Sequence, residues 1–209
     1  MSPIDSFLEL LLAPVGARVF NPWTQVDVGT DVHDNAAAER LQRLRAHLNV
    51  KAKLLLVGEA PGYQGCHVSG IAFTSERLLL AGSIPRVEVW QRLSTRALPW
   101  SEPSATTVWG TLHELAIAEH TLLWNAFPWH PHNAGQLQTN RTPTPAERRL
   151  GVPVLQALLR AQPKARVLAV GRTAAASLQE MGLEVPTLRH PSMGGAAQFR
   201  AQLRETVSR

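Results

Sequence analysis

A single cysteine, Cys66, is present among the 209 residues of the sequence. One cysteine can form no internal disulfide, and it cannot by itself hold an iron–sulfur cluster or a four-cysteine zinc site. A disulfide scaffold and iron–sulfur ligation by this chain alone are therefore excluded. We expect a cytoplasmic protein, because a reducing compartment suits this composition.

Long hydrophobic runs are missing as well. The apolar run over residues 7–12 contains Glu9 and follows Asp5 rather than a basic segment. It is also much shorter than the roughly 20 residues that a membrane helix needs. The run predicts an amphipathic first helix rather than a signal sequence, and we expect no membrane partner.

Charged residues are few, at 18% of the chain, whereas hydrophobic residues make up 44%. This balance does not match the polar, highly charged composition of disordered chains. The sequence shows no internal repeat, no low-complexity tract and no long linker. We therefore predict one domain over residues 1–209, with an N-terminal helical extension over about residues 1–50, and we expect a monomer.

Several catalytic and cofactor signatures are absent. Gly58-Glu-Ala-Pro-Gly62 is not followed by Lys-Ser or Lys-Thr, so it is no Walker loop, and neither Gly-x-Gly-x-x-Gly nor Gly-x-Ser-x-Gly occurs. The absence of these motifs weakens two interpretations, a protein that binds a nucleotide cofactor and a serine hydrolase. His130 and His132 could suggest a metal site, but no His-Glu-x-x-His or close cysteine pair accompanies them. We predict no metal and no cofactor.

Hydrophobic patterns predict strands that alternate with helices. Strands are predicted at residues 53–57, 121–124, 166–170 and 184–188, and helices at residues 36–48, 108–118, 145–161, 173–181 and 196–207. Asp34 is the predicted N-cap of the first of these helices, and Thr144 with Glu147 forms a capping box. The alternation predicts a three-layer α/β domain with a mostly parallel sheet, in which ligands bind at the carboxyl ends of the strands.

Positive charge is concentrated in the last third of the chain. Residues 1–140 carry 10 basic and 12 acidic residues, whereas residues 141–209 carry 11 basic and 4 acidic residues. Arg148, Arg149 and Arg160 fit the solvated face of one predicted helix, and a surface for polyanions is the sharper interpretation. Charge alone favours the interpretation as a solvated helix face. The polyanion surface gains support only if the basic C-terminal third lies next to a functional site.

Three chemically unusual segments each follow a predicted strand. They are residues 58–62, residues 125–132 and residues 190–195, which begin with Gly58, Asn125 and His190. Parallel strands bring such segments to one edge of a sheet. A carboxylate, an amide and an imidazole are therefore expected to line one pocket.

These segments resemble the motifs of the uracil-DNA glycosylase superfamily. The run over residues 58–73 is similar to the first motif, Leu122-Leu-Trp-Asn125 to the strand that ends in the uracil-reading asparagine, and His190-Pro-Ser192 to the second motif. Phe20-Asn-Pro-Trp23 and Phe73-Thr-Ser-Glu76 suggest a less familiar branch. The resemblance implies an α/β/α sandwich with a central four-stranded parallel sheet, and hydrolysis of a damaged base from DNA without metal or cofactor.

The resemblance assigns base contacts to two residues. Phe73 would stack on the extruded base, although a core phenylalanine is an equally good interpretation from sequence alone. Asn125 would donate to the carbonyl at C4 and accept from the ring N3–H, a pattern that uracil offers and cytosine does not. An asparagine that turns the chain after a strand is the alternative, and its place among the motifs favours readout.

The resemblance assigns catalytic roles to two further residues. His190 would stabilise negative charge at O2 as the base leaves, rather than cap or pack as a structural histidine. Glu59 would position or deprotonate the attacking water, and a carboxylate that holds the loop is an equally weighted alternative.

The sequence departs from the best-known branch at two positions in the base pocket. Ala60 stands where that branch has an aspartate that activates water, and Gly62 stands where it has a tyrosine that excludes thymine. The first departure leaves two alternatives: Glu59 substitutes for the missing acid, or catalysis depends on oxocarbenium stabilisation and His190. The second opens the pocket to a wider range of bases, unless Tyr63 folds back and closes it.

The second motif also departs, because it continues with Met193, Gly194 and Gly195 after Ser192. Met193 is a candidate for filling the gap that the extruded base leaves. The two glycines, together with residues of the basic C-terminal third, are candidates for holding DNA phosphate through backbone N–H groups and charge. The DNA-binding residues predicted here are Arg189, Ser192, Met193, Gly194, Gly195 and Arg200.

Three functions compete for this sequence. The first is a DNA N-glycosylase that removes uracil, with related deaminated bases as further substrates, and leaves an abasic site for base excision repair. The second is a damage-binding protein of the same fold that recognises uracil-containing or abasic DNA with little turnover. The third, a nucleotide or nucleoside hydrolase, is disfavoured by the missing phosphate loop and by the basic C-terminal third.

Overall fold

Four apolar segments form a parallel sheet at the centre of the computed structural model, which describes residues 3–208. The strands in chain order are β1 (Val19–Phe20), β2 (Leu54–Gly58), β3 (Thr121–Asn125), β4 (His130–Pro131), β5 (Arg166–Val170) and β6 (Thr187–Leu188). The sheet has the order β3-β2-β5-β6 with every pair parallel, and β1 pairs with β4 in a separate antiparallel ribbon.

Helices cover both faces of the sheet. They are α1 (Pro3–Leu11), α2 (Ala36–Leu48), α3 (Cys66–Ser69), α4 (Glu76–Leu80), α5 (Pro103–Glu114), α6 (Pro145–Ala161), α7 (Arg172–Glu180) and α8 (Ala196–Val207). Alternate residues of β2 point to opposite faces: Leu55 and Val57 pack with α1, α2, α6 and α7, whereas Leu54 and Leu56 pack with α4, α5 and α8. The predicted three-layer sandwich with a four-stranded parallel sheet is confirmed.

Two elements, α5 and β6, differ from the prediction by more than one residue at an end, and one predicted helix cap is wrong. Helix α5 begins at Pro103, which suits a first helical turn, and ends before Ala116, whose φ of 53° leaves the helical region. Helix α2 is preceded by Asn35 rather than capped by Asp34, and no side-chain cap bond forms there. Strand β6 is limited to two residues. The capping box of Thr144 and Glu147 is present at α6 as predicted.

The N-terminal fifty residues are fastened to the sheet domain by buried contacts. The Phe7 ring packs edge-on against Trp124 at 5.0 Å, and Trp23 donates through Nε1 to the Gly70 carbonyl at 3.0 Å. Within the segment itself, Arg40 is fully buried and pairs with Asp31 at 2.7 Å. The predicted division into an extension and one domain stays a prediction.

Within residues 3–208, no helix is long and apolar enough to cross a membrane.

Candidate active site

The three motif segments meet at the carboxyl edge of the sheet, as predicted. Gly58 at the end of β2 pairs with Asn125 at the end of β3, and the Ala126 and Phe127 N–H groups then donate to the carbonyls of Gly58 and Glu59. A cavity of about 600 Å³ opens there. Its lining includes Glu59, Ala60, Gly62, Phe73, Asn125, His190, Ser192 and Met193.

Phe73 and Asn125 share the space that Gly58 leaves open. A Cβ at Gly58 would lie 2.5 Å from Cζ of Phe73 and 2.8 Å from Oδ1 of Asn125, so no larger residue fits. Phe73 has a φ of 50°, which is uncommon for a residue other than glycine, and its ring is 6.0 Å from that of His190. Phe73 belongs to the core and also lines the cavity, and its stacking on an extruded base stays a prediction.

The local hydrogen bonds of His190 fix where its proton sits. The Ser192 backbone N–H donates to Nδ1 at 3.2 Å, and the Ser192 Oγ lies 2.7 Å from the same atom. Because a backbone N–H can only donate, Nδ1 acts as an acceptor and the neutral ring carries its proton on Nε2. Burial, with a further contribution from Arg189, lowers the pKa of His190 below its ordinary value. The site therefore holds a neutral imidazole with an N–H donor at neutral pH.

Glu59 has an available carboxylate oxygen at the same edge. Its Oε1 is buried and has no hydrogen-bond partner within residues 3–208. The backbone of Glu59 is held instead by the Phe127 N–H, which donates to its carbonyl at 3.0 Å. The loop is thus held through the main chain, which leaves this oxygen for a water or a ligand.

The amide of Asn140 lies beside Gly62. A Cβ at Gly62 would lie 3.5 Å from Nδ2 of Asn140, whose Oδ1 accepts from the Tyr63 N–H at 2.9 Å. The Tyr63 ring packs edge-on against Trp100 at 5.5 Å. The open edge that the sequence suggested at Gly62 is therefore bounded by an amide, while Ala60 contributes only a methyl group to the lining.

The loop after His190 presents an exposed apolar tip. Met193 is 91% exposed and has a φ of 52°. Arg189 braces the loop, since its Nη2 donates to the Met193 carbonyl at 3.4 Å. The Gly195 N–H donates to the Ser192 carbonyl at 3.0 Å and is thus engaged inside the loop. The phosphate-binding role of Gly194 and Gly195 stays a prediction.

A second cavity of about 670 Å³ adjoins the first and shares Glu59, His190 and Ser192 with it. Arg189 and the start of α7, with Arg172, line this second cavity. The basic C-terminal third thus reaches the site, which favours a polyanion surface over a merely solvated face. Arg200 is exposed on α8 and lines neither cavity.

Sequence reasoning missed several polar residues of the first cavity, among them Glu102, Asn140 and Arg141. Arg141 forms a bidentate ion pair with Glu147, at 2.6 and 2.7 Å, and so ties the cavity wall to the start of α6. The polar stretch just before the capping box was the available signal for Asn140 and Arg141. Glu102 precedes α5 and carries no motif.

The buried histidines of residues 125–132 bind other protein groups. The Nε2–H of His130 donates to the Thr139 carbonyl at 2.9 Å, and its Nδ1 lies 2.8 Å from Nδ1 of His67. His132 donates through Nδ1 to the Asn133 carbonyl at 2.8 Å. Among residues 3–208, no group of three or more His, Cys, Asp or Glu side chains is arranged to hold a metal ion.

The chain was compared with known protein families and with solved structures. The model of the uracil DNA glycosylase superfamily matches residues 46–207. The chain belongs to this superfamily. No curated protein matches the chain. The crystal structure of wild-type SMUG2 from Pedobacter heparinus is similar in fold, with a TM-score of 0.63 and 15% sequence identity over 100% of this chain and 96% of that one.

The region that matches the superfamily model contains the whole candidate site. The matched region begins within α2 and includes every residue that lines the two cavities. Glycosylase chemistry and base excision repair are the general activities of the superfamily, whose members act on DNA. The roles of the individual site residues stay predictions.

Proposed function

We propose that this member of the superfamily is a monofunctional DNA N-glycosylase that hydrolyses the N-glycosidic bond of uracil in DNA and leaves an abasic site. The observation that carries this proposal is the meeting of Phe73, Asn125 and His190 around one cavity, beside an unpaired oxygen of Glu59. Aromatic, amide, imidazole and carboxylate groups in one cavity are what base capture and hydrolysis require.

Base capture comes first. A base stacked in a duplex cannot be attacked at its glycosidic bond, so it must be extruded into the cavity at a cost of a few kcal/mol. Stacking on Phe73 would stabilise the extruded base by roughly 1–3 kcal/mol. The Asn125 amide would donate to O4 and accept from N3–H, and Gly58 leaves it room to do so.

His190 would act on the departing base. As the bond between C1′ and the base nitrogen breaks, its electron pair leaves with the base and negative charge develops at O2. The neutral ring with its proton on Nε2 is a preorganised donor for that oxygen.

Glu59 would act on the water. The sugar becomes oxocarbenium-like, the water oxygen bonds to C1′, and the carboxylate accepts the proton that the water releases. The unpaired Oε1 supports this role over loop holding. With Ala60 at the position of the usual aspartate, Glu59 is the carboxylate of the first motif that lines the cavity.

DNA would lie across the rim of the two cavities. Arg172 and Arg189 line the second cavity and would neutralise phosphates. The exposed Met193 side chain stands at the tip of the neighbouring loop, where it can enter the gap left by the extruded base.

A second function is favoured by Ala60, because loss of the usual aspartate suits a protein that recognises uracil-containing DNA and turns over slowly. One experiment separates the two. Oligonucleotides with one uracil are incubated with the protein and treated with alkali, and matched oligonucleotides with thymine serve as controls. Strand cleavage with multiple turnovers supports the glycosylase. Retention of uracil DNA without cleavage supports the damage-binding protein, and the absence of both contradicts each function.

A further inference from the structure

Glu102 places a second carboxyl group in the first cavity, outside the sequence motifs. It precedes α5 and lines the cavity together with Phe73 and Asn125. Its Oε2 is buried and has no hydrogen-bond partner within residues 3–208. The structure thus leaves one polar atom of this wall without a protein partner.

The carboxyl group of Glu102 also explains a glycine of the first motif. It lies against Gly65, where a Cβ would collide with Oε2 and would stand 2.8 Å from Cδ. Glycine at position 65 therefore leaves the room that the Glu102 carboxyl group occupies. The loop is therefore shaped around this carboxyl group.

A buried carboxylate without a partner is costly, and such a group tends to become neutral. Burial raises the pKa of Glu102 to about 7. In the neutral form one oxygen carries a hydrogen, so the group can donate to an acceptor that enters the cavity.

We propose that Glu102 is a second base-reading residue, whose carboxylic acid donates a hydrogen bond to a carbonyl oxygen of the extruded base. The inference rests on the proposed binding of uracil-containing DNA. A carbonyl oxygen has two lone pairs, so it can accept from Glu102 and from the Asn125 amide together. Deamination creates such a carbonyl where the parent base carries an amine, so the donor favours deaminated bases.

Several other charged and titratable groups lie around Glu102. Burial raises the pKa of the Cys66 thiol, which stays neutral, and the pKa of Arg141 is raised by its hydrogen bond to Glu147. The pKa of His190 is lowered by burial, so its titration lies on the acid side. The groups that share this cavity or bond to residues beside Glu102 are Glu59, Cys66, Arg77, Arg141 and His190.

The test measures binding, so that it holds whether or not the base is hydrolysed. The probe is an oligonucleotide with one 2′-fluorinated uracil nucleotide, which resists hydrolysis, and an undamaged oligonucleotide is the reference. We expect the preference of the parental protein for the uracil probe to fall about tenfold as pH rises from about 6 to about 8, because ionised Glu102 no longer donates. Glu102→Gln keeps an N–H donor of similar shape and should show no such fall.

Two further variants control the experiment. Glu114→Gln changes an exposed glutamate at the other end of α5 and should keep the parental pH dependence. Gly65→Ala adds a methyl group that displaces the Glu102 carboxyl and should weaken the uracil preference at pH 6, which tests the contact even where Glu102→Gln fails to fold.

The outcomes separate the two proposals. A parental protein without any preference for the uracil probe overturns the proposed function, and this inference with it. A parental preference whose pH dependence persists in Glu102→Gln, or a Gly65→Ala variant with full preference, overturns the role of Glu102 alone.

Discussion

The Ser192 backbone N–H donates to Nδ1 of His190 across 3.2 Å, within a turn of three residues. The bond fixes the tautomer of the ring and so puts the donor proton on the far nitrogen. Pro191 is buried between the two residues and helps to hold this turn rigid. The His-Pro-Ser motif thus has a structural meaning, which is the preparation of one imidazole as a neutral donor.

His190→Ala should lower single-turnover excision of uracil by about 10²–10³, because one preorganised donor to a developing charge is lost. Binding of uracil DNA should change little, since this interaction strengthens only in the transition state. Rapid-quench excision and equilibrium binding measure the two effects. Ser192→Ala is the matched control: it keeps the backbone N–H and should cost less. An unaltered rate in His190→Ala would remove His190 from the mechanism.

Asn125→Asp should relax or reverse the choice between uracil and cytosine. The replacement removes the N–H₂ donor to O4, and a site built on hydrogen bonds can discriminate by as much as roughly 10⁴ against an unmatched base. The fold should tolerate it, because Gly58 leaves the same space for either side chain. Competitive excision from oligonucleotides with uracil or cytosine provides the measurement. Full activity with the parental preference would show that Asn125 is not the reader.

The sequence predicted the parts of the site that follow from local pattern. Gly58 and Asn125 each end a strand, so parallel strands bring both to one edge of the sheet, where the observed register pairs them. The capping box at Thr144 and Glu147 is likewise a matter of spacing within one turn.

The missed residues depend on contacts that no local pattern records. Asn140 bonds to the Tyr63 N–H across 77 positions of sequence. Glu102 reaches the cavity because its loop packs against Gly65. Such contacts depend on how the loops pack against the folded sheet. Hydrophobic periodicity and secondary-structure propensity are local properties of the sequence and do not predict them. The position of Asn140 beside Gly62 is a contact of the same kind, and the wider range of bases predicted from Gly62 stays a prediction.

Glu59→Gln tests water activation, because it keeps the shape of the side chain and removes its charge. A general base contributes typically about 10²–10⁴ to the rate, and a loss in that range is expected in single-turnover excision. Thermal stability should change little, since the loop is held by the Glu59 carbonyl. Near-parental turnover with a parental pH profile would assign Glu59 to structure.

Arg189 and Arg200 should differ in their effect on DNA affinity. Each phosphate contact contributes roughly −0.9 to the slope of log K against log salt concentration. Arg189→Ala should flatten that slope by about one contact, equally for uracil-containing and undamaged DNA, because it lines the second cavity. Arg200→Ala should change it less. A loss confined to uracil-containing DNA would mean that Arg189 reads the lesion instead.

Glu147 should make stability depend on acid pH. The Arg141 guanidinium, with the Thr144 N–H, lowers the pKa of Glu147 from 4.5 to about 2. Because the folded pKa lies below the unfolded value, the unfolded chain binds the proton first, and the stabilisation present above about pH 4.5 is lost as pH falls toward 2.

Glu147→Gln should therefore cost on the order of 2 kcal/mol near pH 7, after allowance for partial exposure of the pair, and should cost little near pH 2. Urea denaturation at the two pH values measures the difference. Glu180→Gln is the control, because Glu180 is 55% exposed and lies 3.9 Å from Arg148. Its cost should stay within about 0.5 kcal/mol at both pH values. A pH-independent cost in Glu147→Gln would assign its effect to the capping box, and the ion pair to Arg141 would then play no part in holding the cavity wall.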